Sequence, residues 1–355
     1  MTPYYDEDGV TIYHGDCRDV LLELGDSSVS AVVTDPPYFK VLDEAWDKAW
    51  GSADEFLAWL GSAVDECARA MAPNASLYCF ASPHMAGRVE CMVRERLHVL
   101  NHIVWHKAGA PGRAGQTCKE ALRSFWPSSE RIIFAEQYGA DNMAKGEAGY
   151  VAKCDELRGF VFEPLRSYLA GEMERAGWTV QTVNQAWRDQ GRGTGGMAGH
   201  WMTTSQWTLP TARNYAWLRE LFNADGGEYL RKDYEYLRKD YEELRKDYEE
   251  LRRPFTVTAE VPHTDVWEFA PPPVGDGRHP CEKSVAMLMH IIGASTRPGD
   301  LVLDPFMGAG STLVAASRMG RRAIGIELDE HWCEVAAKKL QQRELFGSDT
   351  TTSNL

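Results

Sequence analysis

Short, uninterrupted apolar runs mark both ends of the chain: Ala31 to Thr34, Leu77 to Phe80, Ile103 to Trp105, Ile132 to Ala135, Leu301 to Leu303 and Ala323 to Ile326. Helix-like stretches separate them. Runs that are apolar throughout, rather than alternating, predict strands buried on both faces, the pattern of a mostly parallel α/β sheet. They lie on either side of residues 151–255, so one sheet has to be built from two ends of the chain around an insertion. Inside the insertion the period becomes that of helices: Glu163 to Ala176 closed by Gly177, Val183 to Asp189, and Ala212 to Asn223. Helix, glycine, helix is the outline of a helix-turn-helix.

The most regular pattern follows. EYLRKDY (228–234), EYLRKDY (235–241), EELRKDY (242–248) and EELRRPF (249–255) repeat with a period of seven. Leu230, Leu237, Leu244 and Leu251 occupy one apolar position and Tyr234, Tyr241 and Tyr248 another, which predicts a coiled-coil seam. Glu228–Lys232, Glu235–Lys239, Glu242–Lys246 and Glu249–Arg253 stand in the favourable acid-first i,i+4 order. Gly226-Gly227 and Pro254 bound a predicted rod of 26 residues, about 39 Å long. Its seven large side chains call for burial, and a homodimer through residues 228–255 would bury them. Tyrosine is a poor match to the β-branched residues of parallel dimers, which leaves an antiparallel pair or packing on the chain's own α/β domain as alternatives. The expected division is 1–150 and 256–346 as two parts of the α/β domain, 151–225 as a helical region, 226–255 as the heptad segment and 347–355 as a disordered polar tail.

Composition narrows the class. With 355 residues, 44% apolar and 25% charged, the chain is a globular protein able to fold unaided. Its net charge of −14 opposes indiscriminate adhesion to nucleic acid or anionic membranes. Residues 158–213 depart from this, with six Arg against four Asp or Glu, so any DNA contact has to come from such local patches. Met1 to Val10 is polar and acidic, which predicts no secretory signal, and no stretch reaches the roughly 18 apolar residues of a membrane helix. The eight cysteines contain no CxxC pair, the usage of reduced thiols in a cytoplasmic protein. His102 and His106 are four apart but on a predicted strand, so no metal is expected there.

Two constellations carry chemistry. Strand 301–303 leads into Asp304-Pro-Phe-Met-Gly308-Ala-Gly310-Ser-Thr312, and strand 323–326 ends at Glu327, 19 residues beyond Gly308. Glycines let the backbone turn tightly beside a ligand, and an acid at the end of the next strand accepts both hydroxyls of a ribose. Leu313 replaces the third glycine of a dinucleotide fingerprint, which favours an adenosine ligand with an amino-acid end over a nicotinamide cofactor. A plain structural βαβ turn is the alternative. The second constellation is the strand Val32-Val33-Thr34 ending in Asp35-Pro36-Pro37-Tyr38. Two prolines remove two N–H donors and leave carbonyls and a carboxylate as an acceptor-only wall beside an aromatic face. Such a wall suits an NH2 group on a flat ring; a rigid turn after a strand is the plainer alternative.

DPPY followed much later by DPFMGAG resembles the S-adenosylmethionine-dependent DNA amino-methyltransferases in the permuted β-class arrangement, over about 1–150 and 260–340. Gly15-Asp16-Cys17 is similar to the family segment touching the cofactor adenine, His279-Pro280-Cys281-Glu282-Lys283 to the segment near its methionine end, and Ser129-Glu130-Arg131 to a core strand. The middle, with His200-Trp201, Gln206-Trp207 and the heptads, resembles phage-associated members. The resemblance implies a Rossmann-like methyltransferase sheet with an inserted helical DNA-recognition region and a coiled coil. It implies catalysis by Asp35, Pro36, Pro37 and Tyr38. S-adenosylmethionine would be held by Asp16, Cys17, Asp35, Lys283, Asp304, Phe306, Gly308, Gly310, Ser311, Thr312, Glu327 and Leu328. Duplex DNA would meet Lys107, Arg113, Lys119 and Arg123 on a mobile loop, and Arg188, Arg192, His200 and Trp201 in the insertion.

The expected reaction is methylation of adenine N6 in a flipped-out base. Cytosine-N4 methylation is the nearest rival, and a catalytically silent DNA-binding dimer a further one. Cytosine-C5 methylation needs a Cys nucleophile, and the one Pro-Cys, Pro280-Cys281, lies on the cofactor side. A nicotinamide dehydrogenase lacks a specific proton donor.

Overall fold

The computed structural model describes residues 1–41, 46–107, 125, 128–137, 158–204, 207–256, 264–272 and 281–346. Arg113, Lys119 and Arg123, and the tail beyond 346, lie outside them. The chain divides into two compact units, Met1–Ala148 with Arg253–Leu355, and Gly149–Arg252.

The first unit is built on one nine-stranded sheet. Its strands are β1 (Tyr5–Glu7), β2 (Val10–His14), β3 (Val29–Thr34), β4 (Met71–Ala81), β5 (His98–His106), β6 (Ser129–Glu136), β7 (Val266–Glu268), β8 (Leu301–Asp304) and β9 (Arg322–Glu327), in the order β1-β2-β9-β8-β3-β4-β6-β5-β7. All six apolar runs are strands. From β2 through β4 the neighbours are parallel, whereas β6 runs antiparallel to both β4 and β5 and β1 antiparallel to β2. The helices of this unit are α1 (Cys17–Glu23), α2 (Ala53–Ala70), α3 (Ala86–Arg94), α9 (Val285–Ser295), α10 (Ser311–Arg318) and α11 (Glu330–Phe346).

Side chains alternate across a strand, so each central strand feeds two cores. Val32, Leu77 and Cys79 face one core with Val20 of α1, Phe56 and Leu60 of α2 and Val89 of α3. Val33, Tyr78 and Phe80 face the other with Ile291 of α9, Leu313 of α10 and Ala336 of α11. The spacing Phe56, Leu60, Ala63, Val64, Cys67 gives α2 one apolar stripe, and Ser52 caps it by accepting from the Glu55 N–H at 3.2 Å. Burial on both faces leaves only the strand ends free, so the chemistry collects at the carboxyl ends of β3, β8 and β9.

The second unit contains α4 (Glu163–Arg175), α5 (Val180–Asp189), α6 (Met197–Met202), α7 (Ala212–Phe222) and α8 (Tyr234–Leu251) around one aromatic-rich core. Helix α5 starts three residues before its expected Val183 because Thr179 and Thr182 form a reciprocal capping box. Gly177 ends α4 with φ of +75°.

The heptads depart from the expected rod. The helix covers 18 residues, Tyr234–Leu251, and the first heptad up to Asp233 is not helical, with Leu230 at φ of +53°. Its backbone is held from the side: the Leu230 N–H donates to Glu172 at 2.6 Å, and its carbonyl accepts from Tyr215 at 3.2 Å and Arg219 at 2.8 Å. Leu230, Leu237 and Tyr248 are buried in the core of this unit, with Tyr234, Tyr241 and Leu244 packed against it. The seam is therefore covered by the chain's own helices except at Leu251, which is exposed, and the heptads are part of the helical unit rather than a separate coiled coil. The ion pairs shift as well: Glu235 and Glu249 pair with Arg238 and Arg252 at i+3, at 3.0 and 3.2 Å.

Candidate active site

Strands β9, β8 and β3 are adjacent and parallel, with Val32 opposite Leu303 and Asp304 opposite Gly325. Strand spacing is about 4.8 Å, so this register sets Glu327, Asp304 and Asp35 side by side on one edge, where open α/β sheets bind ligands.

At β8, Gly308 and Gly310 carry φ of +51° and +77° and turn the chain from Asp304 into α10. A Cβ on Gly310 would lie 2.7 Å from Ala336, so the turn also needs glycine to pack on α11. Asp304 is 3% exposed; its Oδ1 accepts from the Phe306 N–H at 3.1 Å, and burial pushes its carboxyl up to about 7 despite a hydrogen bond from Thr312. Glu327 accepts from the Gly308 N–H and the Asp329 N–H, both at 2.9 Å. An ionised carboxylate has about four lone-pair sites, which leaves two for further donors. Burial raises its carboxyl against those bonds. A carboxylate acceptor beside a glycine turn is what the vicinal hydroxyls of an adenosine ligand require as they donate, so these residues fit the expected cofactor.

The other residues expected at this ligand divide. Asp16 caps α1 and is paired with Arg18 at 2.7 Å. Cys17 is buried, which pushes its thiol up to about 12. Phe306 packs on Trp59 with ring centres 5.4 Å apart. The Leu328 side chain is exposed while its carbonyl meets His14 Nε2 at 3.1 Å. Ser311 donates to Glu282 at 3.1 Å, and Lys339 donates to the same carboxylate at 2.7 Å. Lys283, expected near the methionine end, instead donates to Asp35 Oδ2 at 2.5 Å.

Asp35 follows β3 directly. Among the described residues its Oδ1 is buried and accepts no hydrogen bond. Burial raises its carboxyl and the Glu130 charge adds to this, while the Lys283 ammonium acts to hold the charged form. The Tyr38 hydroxyl donates to Glu130 Oε2 at 2.9 Å, and its N–H donates to Asp47 Oδ1 at 2.9 Å. Asp47 is fully buried and its Oδ2 also accepts from the Val41 N–H at 2.5 Å. Between these two bonds Phe39 and Lys40 sit at φ of +59° and +60°, a left-handed pair of non-glycine residues held by the Asp47 carboxylate. Pro36, Pro37 and Tyr38 lie beside the apolar side chains of Phe56, Leu60 and Phe80.

Glu130 and Asp47 are site residues that the sequence reading missed. An acid ahead of a strand and a lone Asp in a loop carry no spacing signal. Lys107 pairs with Glu130 and lies 5.1 Å from the Trp105 ring, so its charge belongs to this site.

In the helical unit the expected DNA contacts separate. Arg188 is exposed, and its guanidinium donates to Gln185 Oε1 at 2.8 Å. Arg192 rests against the rings of Trp187 and Trp217, 5.4 and 5.1 Å from their centres, and the two rings meet edge to face 5.1 Å apart. His200 is half-buried on α6. Trp201 is corrected: at 2% exposure its indole is a core side chain that no base can reach. His102 Nδ1 meets Glu90 at 2.6 Å, and among the described residues no His, Cys, Asp and Glu cluster could hold a metal. No described helix is long and apolar enough to cross a membrane.

A family model described as DNA methylase, of N6 and N4 methyltransferases, matches residues 29–338. A DNA adenine methyltransferase, YhdJ of Escherichia coli K12, is 23% identical over 96% of this chain and 85% of its own. A type II methyltransferase, M2.DpnII of Streptococcus pneumoniae, is 48% identical over 65 residues, 18% of this chain. That match spans only 24% of the relative's length. Among solved structures, the cytosine-N4-specific PvuII DNA methyltransferase aligns over 98% of this chain and 96% of its own, with a TM-score of 0.52 and 13% identity, a likeness of fold.

Proposed function

The chain belongs to the DNA methylase family, and we propose that it methylates the exocyclic N6 of adenine in duplex DNA, with S-adenosylmethionine as the methyl donor. The observation that carries this reading is Asp35 Oδ1, a buried carboxylate oxygen without a hydrogen bond among the described residues, on the same sheet edge as Glu327.

S-adenosylmethionine, when bound, supplies an electrophilic methyl group. Glu327 holds the ribose hydroxyls through its two open acceptor sites, and the Gly308–Gly310 turn lies alongside. The amine is a weak nucleophile because its lone pair is delocalised into the ring. Asp35 Oδ1 accepts one amino hydrogen and the Pro36 carbonyl the other, which favours the localised lone pair as charge develops. Tyr38, fixed at its hydroxyl and its N–H, supplies a ring for stacking the base. The base has to leave the duplex to reach this edge, at a cost of a few kcal/mol that stacking partly offsets. Arg188 and Arg192 serve sequence choice from the helical unit, with Arg192 acting from its seat against two tryptophans rather than as a free side chain.

Asp35 at the first motif position supports adenine over cytosine, as does the likeness to YhdJ. Incubating the purified chain with duplex DNA and labelled S-adenosylmethionine, then identifying the nucleoside by mass spectrometry, should give N6-methyladenine. N4-methylcytosine would replace this reading with its rival, and no methylated base with a silent binding protein.

Glu327→Ala should weaken S-adenosylmethionine by roughly 1.5–3 kcal/mol, the scale of hydrogen bonds to a charged acceptor. Calorimetry checks this, and unchanged affinity removes Glu327 from the ribose.

A further inference from the structure

Behind Asp35 stands a group of charges that the methylation reading does not use. Lys283 is 6% exposed; its ammonium donates to Asp35 Oδ2 at 2.5 Å and to the Cys281 carbonyl at 3.4 Å, and lies 3.4 Å from Glu130 Oε2. Glu130 is 12% exposed and takes the Tyr38 hydroxyl on that same oxygen and Lys107 on the other. The ammonium also sits 5.1 Å from the Tyr38 ring centre and 5.2 Å from that of Phe80. Two carboxylates and two ammoniums thus form one neutral cluster around the motif.

We propose that Lys283 and Glu130 are positioning residues for the reaction at Asp35: Lys283 occupies Oδ2 and so leaves the charged Oδ1 as the acceptor for the amino group, while Glu130 seats both Lys283 and the Tyr38 ring. This rests on the methylation reading. The physics is that of a buried carboxylate, which water does not stabilise and which protonates unless a fixed cation holds its charge. A protonated Asp35 would offer a hydrogen where the reaction needs a lone pair. The groups that face Asp35 are Lys283 and Cys281 ahead of α9, Tyr38 in its own loop, Glu130 on β6, Cys79 on β4 and Asp304 at the end of β8. Burial keeps both thiols protonated, Cys79 at about 12 and Cys281 at about 11, so Lys283 is the cation among these that touches Asp35. Burial works against the Lys283 charge, but Asp35 and Glu130 outweigh it and hold the ammonium above its ordinary value.

The sign is fixed by this arrangement. Removing the cation raises the Asp35 carboxyl, so the acid limb of kcat/KM moves to higher pH. Removing the Glu130 charge leaves Lys283 to Asp35 alone, so the limb stays or moves lower, while turnover falls because Tyr38 has lost its acceptor.

The test uses the full chain with Lys283→Met, Lys283→Arg and Glu130→Gln. Asp35 is followed by carboxyl carbon resonance in the ligand-free protein, kcat/KM against pH on duplex DNA, and S-adenosylmethionine affinity by calorimetry. In K283M the Asp35 midpoint and the acid limb should both rise by about one pH unit or more, with cofactor affinity changed less than about threefold, below half a tenfold step in free energy. K283R should return both toward the wild-type positions. If K283M does not fold, E130Q decides: a limb at or below that of the wild type with reduced turnover supports the proposal, and a limb moved upward overturns it. An unmoved Asp35 midpoint in K283M also overturns it, as does cofactor affinity lost in step with turnover, which would return Lys283 to the methionine end. A wild-type chain that methylates no DNA, yet shows the Asp35 shift, fails the methylation reading and leaves the pairing intact.

Discussion

Asp35→Ala should reduce methyl transfer by about 10²-fold or more, the scale seen when one preorganised group is removed from a buried reacting centre, and should leave S-adenosylmethionine affinity nearly unchanged. The asymmetry follows from position. Asp35 lies at the end of β3, and Glu327 ends β9 with β8 between them. The substitution removes the acceptor for the amino group without touching the ribose end. It also strips Lys283 of its shortest bond, so the ammonium turns wholly to Glu130 and no other carboxylate oxygen takes the place of Oδ1. Single-turnover kinetics at saturating cofactor separate the two effects, since a loss confined to binding would vanish there. Turnover retained above about a tenth of wild type, less than one 1.4 kcal/mol step, would mean that the amine is held elsewhere.

The sheet was legible because its central strands are buried on both faces, and β3, β8 and β9 therefore appear as bare apolar runs. Strands β1 and β2 were not read, since Tyr5–Glu7 and Val10–His14 lie at the sheet's margin and mix polar with apolar residues. Asp35, Asp304 and Glu327 were legible for a related reason: an acid directly after an apolar run falls on the carboxyl edge. Order along the chain does not say which edges are neighbours. That β3 lies against β8, some 270 residues later, is a fact of the pairing. The same gap hid the partners of Lys283, whose contact with Asp35 spans 248 residues.

Backbone conformation was the other hidden quantity. Nothing in Tyr38-Phe39-Lys40-Val41 announces two left-handed residues, because neither is Gly or Asn. They are held by a carboxylate six to nine residues away. Leu230 is the parallel case: the repeat EYLRKDY is helical at 235–241 and not at 228–234, although the letters are identical. Tertiary hydrogen bonds to Glu172 and from Tyr215 and Arg219 decide the difference.

Leu237→Ala should destabilise the helical unit by about 2–5 kcal/mol, the usual result of emptying a fully buried leucine site, and leave the molecular mass unchanged. Leu237 is 0% exposed within its own unit, where α8 packs against α4. A heptad seam that served as a subunit contact would show these positions in solvent when one chain is taken alone. Here the seam position left in solvent is Leu251 at the end of the helix, at 46%, while the Leu237 neighbour Tyr236, off the seam, is exposed at 71%. Tyr236→Ala should therefore change stability by no more than about 0.5 kcal/mol, the surface range, and serves as the control. The predicted loss is a large part of the roughly 5–15 kcal/mol that holds a domain together, so the thermal transition of the unit should fall visibly while its neighbour's variant does not. Light scattering over a range of concentrations completes the test. A mass halved by Leu237→Ala with the transition unmoved would make the seam a contact between chains, because an intramolecular cavity changes stability and has no means of changing mass.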